Sequence, residues 1–249
     1  MKNLKKIICA VMALSIAVLA FAGFGSKKDQ LVMGTNASFP PYEYIDDNDN
    51  IIGIDAEIAK AVAEKLGKEL VIKDMEFDSL LPAVQKGSID VVFAGLTVTD
   101  ERKESVDFTQ SYATGVQSII VKEGSDIASV DDLEGKKIGV QSGTTGDIYC
   151  TDDYGEENVK QFQNGALAVA ALLNGQIDCV IIDNEPAKSY VASNDGLKVL
   201  DTEYVKEDYA AAISKDNKDL LKDIDKAMDE LKEDGTIDKI ISKYIKADK

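Results

Sequence analysis

Residues Ile89 to Phe93, interrupted only by Asp90, form a run of β-branched and aromatic side chains, the pattern of a strand covered on both faces. The chain then turns polar through Gly95, Thr97, Thr99, Asp100 and Glu101 to Arg102. Ligands of open α/β sheets bind beyond the carboxyl ends of the strands, so Gly95, Thr97 and Arg102 stand where small-molecule contacts are expected. The pattern recurs. Gly87-Ser88-Ile89-Asp90 opens this strand and Gly175-Gln176-Ile177-Asp178 opens another, Cys179 to Ile182, each after a helix-like apolar segment. Eight residues beyond the first glycine stands Gly95, and eight beyond the second stands Asp183. The match points to two related α/β lobes, each offering polar groups from an equivalent strand end.

Elsewhere strands alternate with helices, which predicts an α/β protein with parallel-type sheets. Apolar or alternating runs mark strands at 31–35, 70–72, 115–122, 137–141, 159–162, 177–182, 197–200 and 209–213. Two short runs, 42–45 and 51–54, flank Asp46-Asp47-Asn48-Asp49-Asn50 and read as a hairpin. Helices are expected from Asp55, a candidate N-cap, to Gly67, from Asp78 to Lys86, and over 129–133, 164–174, 217–233 and 236–246. Gln141-Ser142-Gly143-Thr144-Thr145-Gly146 reads as a strand end, a glycine-rich turn and a helix start, whose free backbone amides favour an anion. The crossing into the second lobe is expected at about residues 112 to 116.

The amino terminus stands outside this alternation. Lys2, Lys5 and Lys6 precede an apolar run from Ile7 to Phe21, and Ala20-Phe21-Ala22 fits a small-residue cleavage site. Residues 1–22 therefore read as a secretory signal peptide. A retained anchor helix is the second reading, since the run falls short of the about 20 residues that span a bilayer. With Cys9 removed, Cys150 and Cys179 remain, either paired as a disulfide or packed as two buried thiols. A net charge of −17 argues against a nucleic-acid partner, because phosphate binding needs clustered Lys and Arg.

The sequence contains no histidine, which excludes Ser-His-Asp and Cys-His catalysis and any His-based zinc site. Asp46, Asn48, Asn50 and Glu57 fall at calcium-loop positions, but Ile51 stands where the sharp turn demands glycine, so a solvated hairpin turn is favoured. No cofactor is expected. What remains is an arginine beside hydroxyls, a helix start, a strand-end aspartate and two loop aromatics, Phe39 and Phe77. That set suits an α-amino acid. Arg102 can hold a carboxylate through two parallel hydrogen bonds, reinforced by the backbone amides of Thr97 and Thr145. Asp183, the Thr97 hydroxyl and the Gly95 carbonyl would accept from the ammonium. Each residue also has a plainer reading: Arg102 as a surface helix residue, Asp183 as a helix cap, Phe39 and Phe77 as core.

The segments Gly34 to Tyr42, Gly53-Ile54-Asp55, Ala94 to Arg102, Gln141 to Thr145 and Ile182 to Pro186 resemble the polar amino-acid solute-binding proteins of ABC importers. This is extracellular solute-binding protein family 3, which includes the histidine-, arginine- and glutamine-binding proteins, and the likeness runs from about residue 30 to 245. The resemblance implies the two-lobed periplasmic-binding-protein fold of type II, with a ligand cleft between the lobes and two hinge crossovers. A linker at 23–29 would precede lobe 1 (30–113 and 210–249) and lobe 2 (114–209). It also implies that Phe39 and Phe77 sandwich the ligand side chain, that Asn36 and Gln141 touch its far end, and that hinge closure prepares delivery to a membrane permease.

Neutral Asn36 occupies a position often acidic in relatives that bind cationic side chains, which favours glutamine, while Glu43 keeps arginine or lysine open. Phe24 stands where related proteins of Gram-positive bacteria usually carry a lipid-modified cysteine, so the exported protein is not expected to be lipid-anchored. The rival is an exported enzyme on the same fold, similar to cyclohexadienyl dehydratase, with Glu185 or Glu43 as a cleft acid. Pairing Arg102 with Asp183 suits an intact amino acid better.

Overall fold

The computed structural model describes residues 29–201 and 204–246; the expected signal peptide, most of the expected linker and residues 247–249 lie outside them. The first half of the chain forms β1 (Gln30–Thr35), β2 (Ser38–Phe39), β3 (Glu43–Ile45), β4 (Ile51–Ile52), α1 (Ile54–Lys65), β5 (Glu69–Asp74), α2 (Phe77–Gln85), β6 (Val91–Val92), α3 (Asp100–Ser105), β7 (Val106–Phe108) and β8 (Ala113–Lys122). There follow β9 (Ile138–Gln141), α4 (Thr145–Tyr154), β10 (Val159–Phe162), α5 (Gly165–Leu173), β11 (Cys179–Asp183), α6 (Asn184–Ala192), β12 (Leu197–Val199), β13 (Lys206–Tyr209), β14 (Ala212–Ser214), α7 (Lys218–Glu233) and α8 (Thr236–Tyr244).

One sheet runs β5-β1-β6-β14-β7, and the other β10-β9-β11-β8-β12 with β13 added along β8. The two orders correspond strand for strand. β1 and β9 each lie between two parallel neighbours, while β14 and β8 run antiparallel to the strand that follows the repeated Gly-x-Ile-Asp motif. The repeat does the same physical job in both sheets. The Asp90 carboxylate accepts the Val32 amide at 2.7 Å and the Asp90 amide donates to the Val32 carbonyl at 2.7 Å. Asp178 binds the Lys137 amide and carbonyl in the same way, each at 2.8 Å. Each aspartate thus pins the start of its strand to a neighbour.

The sheets are mixed rather than parallel. β8 and β14 enter from the crossings between lobes instead of through strand–helix–strand units, and only such units force parallel pairing. The expected single strand at 209–213 is also two: β13 pairs with β8, whereas β14 pairs with β6 and β7. The chain changes sheets between Tyr209 and Ala212, where the Ala210 amide donates to the Leu96 carbonyl at 3.1 Å. The other change runs from Phe108 to Ala113. Beside these crossings Thr97 forms an isolated bridge with Tyr209.

Local departures have local causes. Gly53, not Asp55, is the N-cap of α1; its φ is 127°, and any Cβ there would stand 2.2 Å from the Tyr42 carbonyl oxygen, so the position has room for glycine alone. Asp55 lies in the first turn, fully buried. The helix expected at 129–133 contracts to a 3-10 turn, Val130–Asp132, held by a capping box from Ser129. In the hairpin, Asp46 accepts the Asn48 and Asn50 amides at 2.8 and 2.9 Å and so builds the turn itself. Cys150 and Cys179 are free thiols buried in one apolar cluster with Ile119, Val140 and Ile181. Along α7, Ile224, Ala227, Met228 and Leu231 bury one face, and the helix packs on α1, returning the carboxyl end to the first sheet.

Candidate functional site

A cavity lies between the carboxyl ends of the two sheets. The nine residues singled out in the sequence all line it: Asn36, Phe39, Phe77, Gly95, Thr97, Arg102, Gln141, Thr145 and Asp183. Glu43, Ala94 and Thr144 complete the wall.

Arg102 projects from α3, whose N-cap Thr99 accepts the Arg102 amide at 3.1 Å. Only 7% of the residue is exposed, which removes the surface-helix alternative. Its Nη1 donates to the Thr97 carbonyl at 2.8 Å and its Nη2 to the Gly143 carbonyl at 3.0 Å, while the guanidinium lies 5.6 Å from the Phe77 ring centre. Burial pulls its pKa down, opposed first by the charge of Glu207. A guanidinium carries five N–H donors, so the two carbonyls leave three for a ligand.

Thr145 opens α4, facing Arg102 from the second sheet. Its N-cap Thr144 accepts the Asp147 amide at 3.3 Å, and the Thr145 amide belongs to the first turn, where no intrahelical acceptor exists. The Thr145 hydroxyl donates to Glu207 at 2.9 Å and lies 3.5 Å from the Thr97 hydroxyl.

Asp183 ends β11 and occupies the N-cap position of α6, yet its side chain caps nothing. It accepts instead from Gln117 Nε2 at 2.9 Å and from the Tyr209 hydroxyl. Burial pushes its pKa up to about 7, and the Glu207 charge adds to the rise. Gly95 has a φ of 52°, and a Cβ there would stand 2.8 Å from Phe39 Cε1; its amide donates to Asp55 at 2.7 Å. At the far end Gln141 Nε2 donates to Asn36 Oδ1 at 3.0 Å, and Asn36 Nδ2 donates to the Met75 carbonyl at 2.9 Å.

Three residues that organise this site escaped the sequence reading. Glu207 and Gln117 hold Thr145 and Asp183 through hydrogen bonds at 2.9 Å, and Asp55 anchors Gly95. For Glu207 a signal existed: in β13 Glu207 and Tyr209 alternate inward between exposed Lys206 and Asp208.

Two α/β lobes crossed twice by the chain, with a buried arginine and a buried aspartate lining one cavity, define a cleft-binding protein. A family model for bacterial extracellular solute-binding proteins, family 3, matches residues 31–247. The arginine-binding extracellular protein ArtP of Bacillus subtilis (strain 168) is 34% identical over 246 residues, covering 97% of this chain and 96% of that protein. Structures of an ancestral arginine-binding protein, bound to glutamine and bound to arginine, are each 43% identical to this chain and superpose with TM-scores of 0.84 and 0.83. Both cover 88% of this chain, and the chain covers 98% and 99% of them. The chain belongs to the bacterial extracellular solute-binding proteins, family 3. The enzyme alternative finds no support among these relatives.

Proposed function

We propose that the protein, exported from the cell, captures a polar L-amino acid in this cavity by hinge closure and delivers it to the membrane permease of an ABC importer. The observation that carries this reading is the pair Arg102 and Asp183, both buried and contributed by elements of different sheets. An α-amino acid presents a carboxylate and an ammonium on one carbon and satisfies both residues at once. Arg102 and the Thr97 and Thr145 amides take the carboxylate; Asp183, the Thr97 hydroxyl and the Gly95 carbonyl take the ammonium. Phe39 and Phe77 flank the side chain, with Asn36 and Gln141 at its end.

Among the described residues, lobe 1 then comprises 30–113 and 210–246, and lobe 2 comprises 114–201 and 204–209, hinged where the chain changes sheets. A ligand that touches both lobes binds the closed form better than the open one, and this difference shifts the population. The closed shape is then what the permease recognises. Glutamine and arginine are the favoured ligands, in keeping with the names of the relatives. Both oxygens of Glu43 and Oε1 of Gln141 are buried with no donor from the chain, a setting that suits a side chain ending in several N–H groups.

A thermal-shift panel of unfolded and refolded protein against the twenty amino acids tests this. A ligand at about 100 times its Kd adds roughly 2.7 kcal/mol, so one or a few polar amino acids should raise the Tm clearly. No shift with any of them would overturn the reading.

A further inference from the structure

Glu43 and Asp55 are wholly buried carboxyls brought together by the backbone. The Ile54 amide donates to the Pro41 carbonyl at 3.1 Å and the Asp55 amide to the Tyr42 carbonyl at 2.9 Å, which fastens the start of β3 against the first turn of α1. Asp55 Oδ2 accepts the Gly95 amide and the Tyr112 hydroxyl, each at 2.7 Å. Asp55 Oδ1 and both oxygens of Glu43 receive no donor from the chain, and Glu43 faces the cavity. Two neighbouring buried carboxylates, one of them with no donor at all, do not both ionise at such a place; one proton on the pair removes the repulsion.

We propose that the pair of Glu43 and Asp55 in the cavity wall carries one proton, on Glu43, when no ligand is bound, and that a ligand with a cationic side chain expels it, so that a cationic amino acid is taken up with release of a proton and a neutral one without. This rests on the amino-acid reading of the site. The proton resides on Glu43, because the donors on Asp55 stabilise the Asp55 anion. The titration behaviour agrees: burial and the neighbouring Asp55 charge hold Glu43 well above the carboxylate range, while Asp55, also raised by burial, stays at about 6.

The other groups acting on the pair are Asp183 from β11, Asp74 at the end of β5, and the hydroxyls of Tyr42, Tyr112 and Tyr190, all acidic or neutral. Arg102 gives two of its donors to the Thr97 and Gly143 carbonyls and keeps the rest for the ligand carboxylate. A neutral Glu43 offers one donor and one acceptor, which matches a side-chain amide. A guanidinium or ammonium has only donors and confronts the O–H, so the proton leaves for solvent and the cation takes its place.

Calorimetric titrations with L-arginine and L-glutamine in buffers of different ionisation enthalpy count the protons. Any proton released from Asp183 is common to both ligands and cancels in the comparison. Arginine should release about one proton more than glutamine, and its affinity relative to glutamine should rise about tenfold per pH unit while the pair is protonated. Glu43→Gln should abolish the difference. Equal release by the two ligands, or binding of glutamine with none of arginine, would overturn the proposal while leaving amino-acid capture intact. A ligand-free arm stands apart from both: carbon NMR of the unliganded protein should show a protonated Glu43 carboxyl at neutral pH, and an ionised one would refute it.

Discussion

Arg102 and Gly143 are joined across the cleft by a hydrogen bond of 3.0 Å from Nη2, while Nη1 of the same guanidinium holds the Thr97 carbonyl at 2.8 Å. Gly143 lies in the turn before α4 and Arg102 in α3, so the group proposed to receive the ligand carboxylate also joins elements packed on the two different sheets.

Arg102→Lys keeps the charge but loses the planar fork. A lysine ammonium has three donors on one atom and cannot serve two carbonyls and a carboxylate in these directions. Binding should weaken by about 2–5 kcal/mol, the cost of breaking a buried, hydrogen-bonded charge pair, measured by calorimetry. Affinity within tenfold of the wild type would show that the fork is dispensable.

For Asp183 the sign of the pH effect follows from the direction of its shift, from 3.8 to about 7. Between those values the folded protein holds a proton that the unfolded chain has lost. Stability from this group is therefore complete below pH of about 4 and is lost as pH rises through about 7. Asp183→Asn stays neutral throughout. Without ligand, urea denaturation should find the variant gaining on the wild type between pH 4 and pH 8; a difference that is flat or of opposite sign would contradict the burial of the carboxylate. Binding should fall in the same variant.

Gly115 of β8 lies against Asp183, the residue proposed to accept the ligand ammonium. A Cβ there would stand 2.2 Å from the Tyr209 hydroxyl and 2.5 Å from Asp183 Oδ1. Gly115→Ala should cost about 1–3 kcal/mol by overpacking and weaken binding by displacing Asp183. Chemical denaturation and ligand titration check the two effects, and wild-type values in both would show that Tyr209 moves aside freely.

Much of this arrangement was legible because its signals are local. Gly95, Thr97 and Arg102 follow an apolar strand, Thr145 begins a helix after glycine, and Asp183 ends the second copy of the repeated strand; each position announces itself within a few residues. Strand direction was not local. Whether β8 and β14 run parallel depends on which lobe the chain arrives from. Asp55 precedes an apolar helical pattern as a cap would, and only the approach of Gly95 and Tyr112, 40 and 57 residues away, makes it a buried anchor. Gln117 and Glu207 meet across 90 residues in strands that carry no motif.

The most direct test of amino-acid capture compares L-arginine with agmatine, which is arginine without its carboxylate, alongside L-glutamine, by calorimetry on refolded protein. At least one of the amino acids should bind, and agmatine should bind at least about 100-fold more weakly than arginine or not at all, because Arg102 would be left buried without its partner. Agmatine binding as tightly as the amino acids would contradict the role given to Arg102 and, with it, the bridging of Arg102 and Asp183 by one ligand.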